Sequence, residues 1–159
     1  MPTQPDESLG EALALVPSGC SILTCSAGDA STGMLASWVQ QAAFEPPMVT
    51  VAVKRGRPAV ELIDRAGKFT LNLLGEDPGK LFKHFGAGFA PGEPAFEGVA
   101  ATPTVHGVDL ADAVGVLHCR VATRAEAGDH WIYVAAVESG RRQSPGKPYV
   151  HIRKNGFSY

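Results

Sequence analysis

The chain has few cysteines, and their spacing is not that of a metal or disulfide site. Its 159 residues include three cysteines, Cys20, Cys25 and Cys119, an odd number with no Cys-x-x-Cys pair. Cys20 and Cys25 fall in one strand-like segment, where an odd separation places the two side chains on opposite faces. We therefore expect buried, reduced thiols, which is how free cysteines usually pack.

An excess of positive charge is also lacking. The 14 lysines and arginines are balanced by 16 aspartates and glutamates, which gives a formal net charge of -2 at pH 7. Nucleic-acid binding relies on a broad positive field. The composition therefore predicts no nucleic-acid partner, and any basic site must be local.

Long hydrophobic runs are absent as well. No apolar stretch approaches the roughly 20 residues that a membrane-spanning helix requires. Residues 1–7 do not have the charged-then-apolar layout of a secretory signal and are expected to form a mobile tail. Together these features predict a cytoplasmic protein with no membrane partner.

Several catalytic motifs are missing. The chain contains no Gly-x-Gly-x-x-Gly, no Walker loop and no Gly-x-Ser-x-Gly elbow. Its histidines are scattered, and the adjacent His118 and Cys119 would point to opposite faces of a strand. We expect no metal site, because no metal-ligand spacing is present.

The residues that are present favour a mainly β fold. Hydrophobic residues make up 45% of the chain, and 18 glycines and 12 prolines are spread along it, which favours many short elements joined by turns. Residues 114–125 and 131–139 are predicted to form a hairpin, and in all we expect five or six strands with a few short helices. This pattern predicts a small antiparallel β-barrel in one domain, residues 1–159.

The most informative stretch is residues 33–74. Residues 48–53 form an apolar, β-branched run between Pro46-Pro47 and a basic turn, as in a buried strand. Pro58 then suits the first turn of a helix and Gly67 its end, after which residues 68–74 return as a second strand.

This order of motifs resembles the flavin reductase-like, FMN-binding split-barrel family. The chain has Gly-Met-Leu-Ala-Ser at residues 33–37 and Phe-Thr-Leu-Asn-Leu-Leu at residues 69–74. It is especially similar to the C-terminal flavin reductase domain of cyanobacterial diflavin flavoproteins. Further matching motifs are Lys-His-Phe at residues 83–85, Ala-Pro-Gly-Glu at 90–93, Gly-Asp-His-Trp at 128–131 and the basic segment 153–159.

The resemblance implies a bound flavin, FMN rather than FAD, with FAD possible. Leu35, Ala36, Ser37 and Trp38 correspond to the segment that lines the flavin, and Trp38 either stacks near the ring or fills the core. His84 and Phe85 are a further candidate contact, although His84 is equally well explained as a surface helix residue.

The basic turn is expected at the phosphate or ribityl side of that flavin. Val53, Lys54, Arg55 and Arg57 form this group, in which either arginine offers a planar fork for phosphate. Ser37, or else Ser31 and Thr32, can complete the cradle. From the residues alone, a solvated basic turn is the more ordinary explanation.

His130 is the candidate catalytic residue. In a Gly-Asp-His turn its imidazole is expected to be exposed at a hairpin end. The resemblance implies that it lies by the flavin face where NAD(P)H docks, and a neutral imidazole can orient a carboxamide because it donates one hydrogen bond and accepts another. The alternative is a turn histidine that stabilises its own loop through Asp129.

These expectations define the predicted activity. The first hypothesis is an FMN-dependent NAD(P)H:flavin oxidoreductase that passes electrons on to free flavin, oxygen or a partner protein. The second is a flavin carrier or electron-transfer module without efficient NAD(P)H oxidation. A third is a split barrel that has lost flavin and binds another flat ligand, such as haem. The resemblance also implies a homodimer, with a contact expected at Phe89, Phe96 and Val99 in a long loop over residues 87–104.

Overall fold

The computed structural model describes residues 6–159. Over this range the chain forms three helices, α1 (Glu7–Ala14), α2 (Pro58–Ala66) and α3 (Gly79–Phe85). The strands are β1 (Ser18–Gly19), β2 (Ser21–Ala27), β3 (Ala30–Ala36), β4 (Val39–Ala43), β5 (Met48–Lys54), β6 (Lys68–Leu73), β7 (Ala101–Thr104), β8 (Gly107–Leu110), β9 (Gly115–Ala127), β10 (His130–Arg142) and β11 (Val150–His151).

Most strands belong to one antiparallel sheet of seven. Its order is β3-β2-β6-β9-β10-β5-β4, and the short pairs β1-β11 and β7-β8 lie beside it. The mainly β prediction is confirmed, but five or six strands was too low a number, since the main sheet alone has seven and the two short pairs add four. β7 lies within residues 87–104, which were predicted to be loop throughout.

The two edges of the sheet, β3 and β4, are consecutive in the chain. Only residues 37–38 separate them, and the carbonyl of Trp38 accepts a hydrogen bond of 3.0 Å from the backbone N–H of Ala52 on β5. The sheet therefore curls until its edges meet at a short connection instead of a hydrogen-bonded ladder. We call this connection the split.

The unit from β5 to β6 has the predicted form. Along β5, Val49, Val51 and Val53 are buried in the barrel core while Thr50 and Ala52 lie on the other, partly exposed face. Pro58 begins α2, and Gly67 ends it in the left-handed conformation, with a φ of 67°.

The expected N-terminal tail is only partly within the described range. Residues 1–5 of that tail lie outside the described residues. Asp6 caps α1 by accepting a hydrogen bond from the backbone N–H of Ser8, and Glu7 is already helical. Among residues 6–159, no helix has both the length and the apolarity to cross a membrane.

A second apolar cluster lies between the sheet, α3 and the β7-β8 pair. Its buried members include Leu81, Phe85 and Leu110. Phe89, Phe96 and Val99 pack against this cluster. The exposed apolar face expected of these three residues is therefore not observed, because the loop folds these side chains onto its own core, while a dimer contact there stays a prediction.

Asn72 on β6 joins the second cluster to the main sheet. Its buried side-chain amide donates to the carbonyls of Ile22 (3.2 Å) and Val108 (3.0 Å) and accepts from the backbone N–H of Leu110 (2.8 Å). One side chain thus satisfies backbone groups on β2 and β8.

The cysteine prediction is confirmed. Cys20, Cys25 and Cys119 are free and buried. Burial raises the pKa of Cys20 to about 11 and the pKa values of Cys25 and Cys119 to about 12. All three remain thiols at neutral pH, so none supplies a reactive thiolate.

Candidate functional site

A cavity of about 460 Å³ lies at the split. Its volume falls within the roughly 300–1,000 Å³ that is usual for small-molecule sites. Five of the predicted site residues line it, namely Leu35, Ala36, Ser37, Trp38 and Arg57. The wall continues with residues that were not predicted as site residues, chiefly Ala52, Phe82, Lys83, Gly86, His151 and Tyr159.

The split positions these residues because the chain passes from one sheet edge to the other there. Ala36 and Ser37 are buried at the end of β3, and Ala36 has a side chain small enough for a ligand to approach the backbone. Arg57 precedes the first turn of α2 in an extended conformation, whereas Lys83 extends from α3. Two cations, one just before α2 and one on α3, thus lie at one cavity.

His151 also lines this cavity. Its Nδ1 is buried and has no hydrogen-bond partner among residues 6–159. Because this nitrogen has almost no accessible surface, a molecule in the cavity does not reach it, and it is an unsatisfied buried atom of the fold. An apolar slot and two cations fit the flat ring and the phosphate of a flavin mononucleotide.

The structure does not bring the rest of the basic turn into the cavity. Val53 is buried in the barrel core. The Arg55 guanidinium lies 4.2 Å from the centre of the Trp131 ring and forms an ion pair of 3.4 Å with Glu126. Lys54 instead borders a separate cleft behind Trp38.

His84 and Phe85 also lie away from the cavity. The Nε2 of His84 is 2.8 Å from the carbonyl oxygen of Ala95, and its ring meets Phe85 edge-on. Because neighbouring helical positions differ by about 100°, Lys83 can face the cavity while His84 faces the loop. Ser31 and Thr32 do not line the cavity either, and the Ser31 hydroxyl pairs with Ser26.

His130 is buried, which corrects the expectation of an exposed turn residue. It is 6% exposed because it is the first residue of β10, opposite Lys54, and the segment 153–159 lies across it. Its ring centre is 4.7 Å from that of Trp38. His130 borders the same cleft as Lys54, a space of about 320 Å³ that shares Trp38 and Tyr159 with the larger cavity.

Both ring nitrogens of His130 are engaged. Nδ1 is 2.7 Å from the Asp129 carboxylate, and Nε2 pairs with the Tyr159 hydroxyl. The hydrogen bond from His130 lowers the pKa of Asp129, whereas burial raises the pKa of Tyr159. The ionised carboxylate can only accept, so Nδ1 donates to it; Nε2 of the neutral ring then accepts from the phenol.

Comparison with known proteins identifies the family. The flavin reductase-like domain matches residues 13–158. The chain is 38% identical over 162 aligned positions to putative diflavin flavoprotein A 5 of Nostoc sp., covering 100% of this chain and 28% of that protein. It is 40% identical to diflavin flavoprotein A 1 of Synechocystis sp., covering 97% of this chain and 27% of that protein.

Solved structures agree on the fold. The NADH:FAD oxidoreductase SgcE6 of Streptomyces globisporus superposes with a TM-score of 0.84 at 21% identity, covering 96% of this chain and 93% of that one. The styrene monooxygenase flavin reductase of Pseudomonas putida S12 gives a TM-score of 0.76 at 25% identity, covering 91% and 92%.

The chain belongs to the flavin reductase-like domain family and has its split-barrel fold. It spans just over a quarter of the length of the diflavin flavoproteins that it matches.

Proposed function

We propose that the chain is an FMN-dependent NAD(P)H:flavin oxidoreductase that delivers electrons to free flavin, oxygen or a partner protein. The main support is the cavity at the split, where Arg57 and Lys83 lie beside an apolar slot that residues 35–38 help to form. FAD is the alternative flavin, since the Streptomyces relative is named an NADH:FAD oxidoreductase. A cytoplasmic location is part of the same proposal.

Each group of residues has a distinct task. Arg57 and Lys83 bind the phosphate through charge-assisted hydrogen bonds. The backbone of residues 35–38 and the ring of Trp38 hold the flavin ring and exclude water. The bound flavin supplies the redox chemistry, hydride transfer from the nicotinamide, while His130 orients the carboxamide of that nicotinamide.

One observation favours the second hypothesis, a flavin carrier without efficient NAD(P)H oxidation. His130 is buried, and Asp129 and Tyr159 engage its two nitrogens. As long as both bonds persist, the imidazole has no free atom to offer a nicotinamide.

An anaerobic visible spectrum separates these functions. With FMN bound, we expect NADH or NADPH to bleach the flavin bands, and we expect His130→Ala to slow bleaching about tenfold, the effect of losing one hydrogen bond of about 1.4 kcal/mol. The matched control is His106→Ala, because His106 lies in the β7-β8 turn beside Glu138.

The other outcomes are equally informative. Flavin that binds but stays oxidised would support the carrier module. A protein that binds no flavin would contradict both hypotheses, and a Soret band would indicate haem.

We also propose that the protein is a homodimer, with a second copy covering an apolar groove outside β5 and β10. The groove has a volume of about 640 Å³ and shares Trp38 and Ala52 with the cavity. Such a contact would place the flavin near the subunit interface, as the family resemblance implies. The apolar residues that line the groove include Leu13, Val16, Val39, Ile132 and Val150.

Placing a charge in this groove tests the dimer. Ile132→Lys is expected to convert the dimer to a monomer in sedimentation velocity experiments, because a lysine ammonium would be desolvated in an apolar contact. Val105→Lys is the control, since Val105 is 79% exposed and lies outside the groove. A dimer that survives Ile132→Lys, or a monomeric parent, would contradict the proposed interface.

A further inference from the structure

We propose that Tyr159 is a positioning residue that shields His130 and gives up its hydrogen bond to the carboxamide of a bound nicotinamide. This inference rests on the proposed function. His130 is assigned to nicotinamide binding, yet it is buried and both of its ring nitrogens are engaged. A movement of Tyr159 reconciles that role with this geometry.

The exchange is chemically matched. In the neutral ring of His130, Nδ1–H donates to the Asp129 carboxylate, so Nε2 is an acceptor, and the phenol O–H of Tyr159 donates to it. A nicotinamide carboxamide has an NH₂ group and can donate to the same nitrogen. One lone pair accepts one donor, so the phenol and the carboxamide compete for it.

Tyr159 is weakly held compared with the chain just before it. It is 59% exposed, and its described contacts are the bond to His130 and a tilted packing against Trp38 at 5.4 Å between ring centres. Gly156, in contrast, is fixed on α1. Its N–H donates to the carbonyl of Gly10 at 2.8 Å, and a Cβ at this position would lie 2.1 Å from that of Leu13.

Movement of the Tyr159 side chain would therefore not require the anchor at Gly156 to detach. Tyr159 and Trp38 stand between the cavity of about 460 Å³ and the cleft of about 320 Å³ that contains His130. Displacement of the phenol removes part of this wall and gives the larger space access to Nε2.

Chemical modification of the flavin-free protein tests the shield without relying on activity. We expect diethyl pyrocarbonate to modify His130 slowly in the parent protein. Modification should be about fivefold faster in Tyr159→Phe, because that variant loses one hydrogen bond. It should be faster still in Tyr159→Ala. Peptide mass spectrometry distinguishes the histidines, with His106 as the internal reference. Tyr149→Phe is the matched control, because the Tyr149 hydroxyl makes no hydrogen bond within the described part of the chain.

Equal reactivity of His130 in all four proteins would contradict the proposal that Tyr159 shields His130.

Steady-state kinetics with NADH and NADPH test whether the nicotinamide carboxamide competes with Tyr159 for His130. If Tyr159 competes with the carboxamide, Tyr159→Phe lowers the KM for the nucleotide severalfold and leaves kcat nearly unchanged.

A raised KM would instead make Tyr159 part of the nucleotide site and overturn the competition. If the parent, loaded with flavin, oxidises neither nucleotide, the proposed function fails and nicotinamide is not the displacing ligand. The modification rates still decide in that case whether Tyr159 shields His130.

Discussion

Replacing Arg57 with alanine is expected to weaken FMN binding by about 10- to 150-fold, because hydrogen bonds to charged groups contribute about 1.5–3 kcal/mol. Arg57 precedes α2 and lines the cavity at the split. Titration of the flavin-free protein with FMN, followed by flavin fluorescence at fixed ionic strength, measures the change. Repeating the titration with riboflavin, which has no phosphate, should nearly abolish the difference between variant and parent.

Arg55→Ala is the control that the structure provides. Both arginines belong to the same basic turn, but the Arg55 guanidinium stacks over Trp131 and pairs with Glu126. We expect its removal to leave FMN affinity within about twofold of the parent, as for an exposed ion pair. If Arg55 were essential for FMN binding and Arg57 dispensable, the phosphate would have to bind on the outer side of the turn and not in the cavity.

Replacing Asn72 with leucine is expected to lower the free energy of unfolding by about 3 kcal/mol. The variant removes three hydrogen bonds to the backbone of Ile22, Val108 and Leu110 and leaves buried polar groups without this partner. For a chain of this size the loss corresponds to a fall in melting temperature of roughly 6–12 °C. Urea unfolding of the flavin-free protein gives the free energy directly.

Thr70→Val is the matched control for Asn72→Leu. Thr70 is also buried on β6, but its hydroxyl has no hydrogen-bond partner among residues 6–159. Its replacement removes a buried polar atom without breaking a bond, so stability should stay constant or increase. Equal losses in the two variants would mean that any change at β6 is damaging and that the Asn72 bonds have no special role.

Local patterns predicted the local elements well. Alternation along residues 48–53, Pro58 at a helix start and Gly67 at its end are signals within a few residues, and β5, α2 and β6 follow them. The meeting of β3 and β4 at the split was beyond such patterns, because it depends on how the five strands between them in the sheet pair with one another.

The same distinction applies to the site. Residues 35–38 and Arg57, which were predicted to contact a flavin, line the cavity, but the sequence offered no means of separating Arg57 from Arg55. His130 was expected to be exposed because its hairpin was considered by itself. The residue that covers it, Tyr159, lies 29 positions further along the chain.

The order of strands in the sheet also determines when the site can form during synthesis. β5, which contains Ala52 of the cavity wall, pairs with β4 on one side and with β10 on the other. Because β10 begins only at His130, the ribosome must release most of the chain before β5 gains its second partner. Until then an unpaired strand edge is open to misassociation. A flavin that binds only the finished barrel would draw nascent chains toward the complete fold by mass action.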